Sequence, residues 1–136
     1  MGVWGYGIFE NDEALDWLQM LMKGDDVIII KTTLYSALIN DLYVEMPKAC
    51  EVLAAAEIVR SVTSERATDL PNESRAWIIS RDHNTYKGLV ELARKAVRRV
   101  KESSELRDLW SKTTHFEEWK VNLDSLEAEL AGIYST

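Results

Sequence analysis

Apolar residues recur at intervals of three and four along nearly the whole chain, the spacing that lines one face of a helix. Asn11 and Asp12 are good N-cap residues, and Glu13 adds negative charge where a helix N-terminus favours it. Behind them Ala14, Leu15, Leu18, Leu21 and Met22 predict a first helix, which Gly24 stops. The stretch from Asp25 to Val44 reads two ways. Val27-Ile28-Ile29-Ile30 and Thr32-Thr33 are β-branched and favour a strand, whereas Leu34, Ala37, Leu38, Asp41 and Leu42 keep a helical period. The expectation is mostly helix, with residues 27–33 open between helix and extended chain. A third helix runs from Pro47 to Ser64, apolar on nearly every side and carrying alanines at 54, 55 and 56. Such a helix belongs in the middle of a bundle, where alanines let neighbours approach closely.

Leu70-Pro71-Asn72-Glu73 opens a short helix with Ala76, Trp77 and Ile78, and the chain turns around Arg81 to Asn84. Tyr86, Leu89, Val90, Ala93, Val97 and Val100 then form one stripe, opposite a basic face of Arg94, Lys95, Arg98, Arg99 and Lys101. Ser103 is placed to cap the turn that follows, with Leu106, Leu109 and Trp110 directed to the core, and Thr114 with Glu117 has the spacing of a capping box. Phe116, Trp119, Leu123, Leu126, Leu130 and Ile133 form a seam for packing against another helix, which Gly132 can end. The reading is one all-α domain over residues 1–136, a bundle of six or seven helices behind an irregular glycine- and tryptophan-rich N-terminal segment.

Composition narrows the function classes. The 136 residues are 46% apolar and 29% charged, which excludes a disordered chain. A single Cys excludes a disulfide scaffold or a cysteine zinc cluster, and Cys50 among Ala49, Val52 and Leu53 reads as a small core residue. No basic n-region or long apolar stretch opens the chain, so the expected compartment is the cytoplasm, without a membrane anchor. The net charge of −7 disfavours nucleic acid as a partner, and the basic helical face reads as solvated or internally paired. Charge is unevenly placed: residues 1–64 hold four basic and ten acidic side chains, a net of −6, whereas 65–136 are close to balanced.

The N-terminal string interleaves Gly2, Gly5 and Gly7 with Trp4, Tyr6 and Phe9. Glycine permits close backbone approach, so the segment is specified rather than loose. In one reading Trp4 and Phe9 plug the bundle. In the other, backbone amides around Gly5 and Gly7, with Trp4, Asn11 and Asp12, bind an anionic or small ligand. GVWGYGIFENDEALDWL resembles the opening of domain-of-unknown-function family 4259, and LPNESRAWI, SELRDLW and the later Trp119 are similar to its downstream blocks. The resemblance implies a small helical domain and carries no catalytic residue.

No nucleophile elbow, phosphate loop or HExxH motif is present. His83 and His115 stand far apart in predicted turns, and Asp82 beside His83 lacks companions for a metal. No cofactor, metal or catalytic residue is therefore expected. Small size, acidity and the lack of an assembled catalytic group point first to a protein-interaction module, antitoxin- or immunity-like, that occludes a basic partner. A ligand binder or enzyme using Trp4, Gly5, Gly7, Asn11 and Asp12 is the alternative. Trp4, Trp77, Trp110 and Trp119 are expected to be buried.

Overall fold

A computed structural model describes residues 5–39, 43–64 and 70–135, and among these the chain is all-α, with eight helices and no strand. Helix α1 (Asp12–Lys23) begins where the side chain of Asn11 accepts a hydrogen bond from the Ala14 amide, 2.7 Å away. It ends at Gly24, where an added Cβ would lie 2.6 Å from the Ile29 side chain. Helix α2 (Asp26–Tyr35) follows at once, capped by Asp25. Its β-branched run is helical, not extended. The helical cost of each Val, Ile or Thr is a few tenths of a kcal/mol, and burial of Ile30, Thr33 and Leu34 outweighs it. The hydroxyl of Thr33 also accepts from the buried Trp17 indole at 3.0 Å, tying α2 to α1.

Helix α3 (Met46–Ser64) is the axis of the fold. Helices α1 and α2 touch it, as do α4 (Arg75–Ile79), α5 (His83–Lys87), α6 (Val90–Glu102), α7 (Glu105–Trp110) and α8 (Phe116–Ser135). Ala54, Ala55 and Ala56 are fully buried, as a helix surrounded on all sides requires. Its N-terminus is held by a residue far along the chain. The Glu105 carboxylate accepts from the Met46 amide at 2.6 Å, and the Glu105 amide donates to the Val44 carbonyl at 2.8 Å.

Several boundaries differ from the sequence expectation. The stripe beginning at Tyr86 is divided, because Asp82 caps a separate short helix, α5, before α6 starts at Val90. His83 is thus in a first helical turn. The residue that caps α7 is Ser104, not Ser103: its hydroxyl accepts from the Arg107 amide and donates to the Val100 carbonyl. At the start of α8 the local bond is made by Thr113, whose hydroxyl accepts from the His115 amide. Gly132 does not end α8, which runs to Ser135. Trp119 is buried as expected, but Trp77 and Trp110 are only half-buried, and Trp4 lies outside the described residues. Trp77 carries the Arg81 guanidinium over its ring at 4.4 Å, and Trp110 stands at the rim of a cleft.

Helices α6 and α8 pack together, with Val97, Val100, Leu123, Leu126 and Leu130 buried. Above that seam, Lys101 bridges Asp124 and Glu127 at 2.8 and 3.3 Å, Arg98 reaches Glu127 at 3.4 Å, and Arg94 pairs with Glu91. The basic face is therefore spent largely on internal pairs. No helix among the described residues is long and apolar enough to cross a membrane.

Candidate functional site

The N-terminal segment lies beside residues of α3, α7 and α8. Phe9 is buried in the core, and Asn11 is buried beneath the segment, donating from Nδ2 to the Ile8 carbonyl at 3.1 Å while its oxygen caps α1. The gap left between this segment and Cys50, Leu53, Leu106 and Trp119 is about 10 Å³. That is no more than a single water needs. Asp12 is exposed in the first turn of α1. Asn11 thus caps the helix and also lines this gap, Asp12 stands in the first helical turn, and Gly5 and Gly7 line both the gap and a larger cleft.

The anion held by the glycines belongs to the chain itself. The Gly7 amide donates to the Glu10 carboxylate at 2.9 Å. A Cβ at Gly5 or Gly7 would fall 2.6 or 2.5 Å from that carboxylate, so a side chain at either position would make the exposed Glu10 side chain shift. Sequence reasoning noted the nest but overlooked Glu10, which sits three residues on as its occupant.

On the outer side of this segment lies an open cleft of about 1080 Å³, with Tyr6, Glu10, Trp110, His115 and Asn122 among its walls. Tyr6 stacks on His115 with ring centres 5.7 Å apart and 28° between planes. It meets Trp110 edge-to-face at 6.4 Å and 84°. The His115 ring approaches the Glu118 carboxylate at 3.2 Å. Three aromatic rings from two remote parts of the chain, Tyr6 on one side and Trp110 with His115 on the other, thus share one wall. Their separation in sequence is why no local motif announces them.

A second polar site is buried. Glu57 and Arg60 face each other within α3, with Nε and Nη2 of Arg60 donating to the two carboxylate oxygens at 2.6 and 2.9 Å. Ser61 and Ser64 accept further bonds from the guanidinium, and Glu129 of α8 lies 3.6 Å from Nε. A small cavity of about 140 Å³ beside them is roofed by Gly7 and Ile8.

Elsewhere the chemistry is that of ordinary structural residues. Cys50 is buried against the Met46 sulfur at 3.7 Å, and burial pushes its thiol up to about 12, with Glu13 and Glu51 adding to the shift. Asp82 is held below the usual carboxylate range by its bonds from Thr85 and the Asn84 amide. Among the described residues, no three His, Cys, Asp or Glu side chains are grouped to hold a metal ion.

Fold and site together define a small all-α domain closed by a glycine–aromatic N-terminal segment. The chain belongs to the family described as a domain of unknown function (DUF4259), whose model matches residues 2–122. Comparison with curated proteins and with solved structures found no match.

Proposed function

We propose that the chain is a protein-interaction module, antitoxin- or immunity-like, that binds a basic partner through the outer face of α2. The observation that carries this reading is a helix with apolar residues on opposite sides, only one of which is covered, with the exposed Lys31 beside the uncovered stripe. Such a helix is normally enclosed. Here Ile30, Leu34 and Ala37 enter the core, while Ile28, Tyr35 and Ile39 are 62%, 48% and 68% exposed. Spacings of seven and then four place these three on one face, and Ile39 continues the helical bonding through its amide to the Tyr35 carbonyl. An uncovered apolar stripe of this kind is a common mark of an interface.

Charge selects the partner. The stripe belongs to the half of the chain with a net charge of −6. A second copy would oppose like charges, whereas a basic surface gains both association rate and orientation. The test is photo-crosslinking from position 28 in producing cells, followed by calorimetry with the purified captured protein. A basic partner is expected, with affinity falling as salt rises and dropping at least tenfold in Ile28→Glu or Ile39→Glu. Sedimentation showing that the wild type self-associates and Ile28→Glu does not would make the face a homodimer contact and overturn the basic-partner reading.

A further inference from the structure

We infer that the cleft bounded by Tyr6, Trp110, His115 and Glu10 is a binding site for a guanidinium group. The inference is independent of the α2 face. Three features of the cleft select the ligand. First, the wall is aromatic and partly open: Tyr6 is 38% exposed, and it is braced from one side by His115 and from another by Trp110. Aromatic faces attract cations, and the planar guanidinium also stacks on them.

Second, a carboxylate held by one backbone bond already stands in the same lining. Oε1 of Glu10 accepts from the Gly7 amide, and Gly5 and Gly7, having no side chains, leave open the space that its carboxylate occupies. Its second oxygen has no protein donor among the described residues. A carboxylate held in place before binding loses little freedom when a ligand arrives. It also accepts a charge-assisted bond, the stronger kind.

Third, the cleft has no Lys or Arg among its described lining residues. The neighbouring cations are engaged elsewhere. Arg107 and Lys120 lie over the Phe116 ring at 5.2 and 4.6 Å, and Lys120 also pairs with Glu117 at 3.0 Å. Phe116 shows that an aromatic ring in this region already holds cations within the chain. The cleft offers the same chemistry, with a carboxylate added, to a cation from outside. The guanidinium has two possible sources, an arginine side chain in a protein or a free guanidino compound.

The test is a titration of the ¹⁵N-labelled protein with N-acetyl-arginine-methylamide, with free arginine, and with N-acetyl-citrulline-methylamide as the neutral isostere. Saturable shifts are expected at the Gly7 amide and the Trp110 indole for the arginine amide and not for citrulline. Saturation by the amide alone assigns the site to a side chain within a protein, and saturation by free arginine as well admits the small molecule. Glu10→Gln retains an acceptor for the Gly7 amide but removes the charge, and is expected to weaken binding about tenfold. Tyr6→Leu is expected to weaken it severalfold. Unchanged shifts far from the cleft verify the fold of each variant. Equal binding of citrulline, undiminished affinity in Glu10→Gln, or no saturable shift with either cation overturns the inference.

Discussion

Arg60 stands where a bundle helix ought to be apolar, and replacing it is the most demanding test of how the fold is held. Arg60 is 2% exposed, and its guanidinium makes a two-pronged bond to Glu57, itself 5% exposed. Arg60→Met keeps most of the volume but leaves a carboxylate buried without its main counter-charge. Breaking a buried pair from one side costs about 3–5 kcal/mol. Against a total of roughly 5–15 kcal/mol for a domain, that is a large share. The melting temperature is expected to fall by roughly 10–20 °C. Glu57→Gln is expected to cost less, because an amide oxygen still accepts from Nε and the exposed Glu129 remains near the guanidinium. The decisive variant is Glu57→Leu with Arg60→Met, which removes both charges and restores an apolar helix. If desolvation of the pair is the dominant cost, the double variant recovers most of the lost stability. Urea unfolding of the three variants measures these differences. A single Arg60→Met variant within about 1 kcal/mol of wild type would refute the reasoning. So would a double variant as unstable as the two single losses added together.

Three further outcomes follow from the same contacts. Asn11→Ala removes the α1 cap and the bond to the Ile8 carbonyl, so urea unfolding is expected to show a loss of about 2 kcal/mol. Asp12→Ala, one residue on and exposed, is expected to cost under about 1 kcal/mol, and equal losses would contradict the assignment of Asn11 as the cap. Cys50 is expected to react with a thiol reagent only at the rate of global opening, and fast labelling of the native protein would contradict its burial. The Tyr86 hydroxyl donates to Asp26 at 2.6 Å, and burial followed by that bond raises its ionisation well above the ordinary value of 10.0. The native state thus keeps a proton that the unfolded chain loses, so this contribution is complete below pH 10 and declines as pH rises beyond it. Tyr86→Phe is expected to flatten that alkaline decline in thermal melts recorded between neutral pH and pH 11.

The helices were legible because burial on one face imposes a period of 3.6, which α1 and α6 obey clearly. The centrality of α3 followed from its alanines and lack of a polar face, and the Asn11 cap from its place before the stripe. What the pattern hid depends on partners far away in sequence. Val27 to Thr33 looked capable of a strand because its helical bias comes from contacts with α1 and α3. Glu57 and Arg60 passed as ordinary charged positions, since a spacing of three does not reveal that both point inward. Ser103 and Ser104 are equivalent by type, and only the turn geometry chooses between them. In the N-terminal segment, attention to glycine amides was well placed. The carboxylate they hold and the rings opposite could be found only once residues 6, 110 and 115 were brought together.

The clasp between Glu105 and the start of α3 sets a timetable for biosynthesis. The central helix is complete in sequence at Ser64, yet its first amide is capped by residue 105 and its flanks are covered by α6, α7 and α8. At elongation rates of roughly 5–20 residues per second, about 4–14 s separate translation of Ser64 from that of Ser135. Throughout that interval the nascent chain carries an apolar helix without its lid. A chain stalled before residue 105 leaves the ribosome with its axis uncovered and becomes a client for chaperones and proteases. The cover of the central helix is thus supplied by segments translated after it.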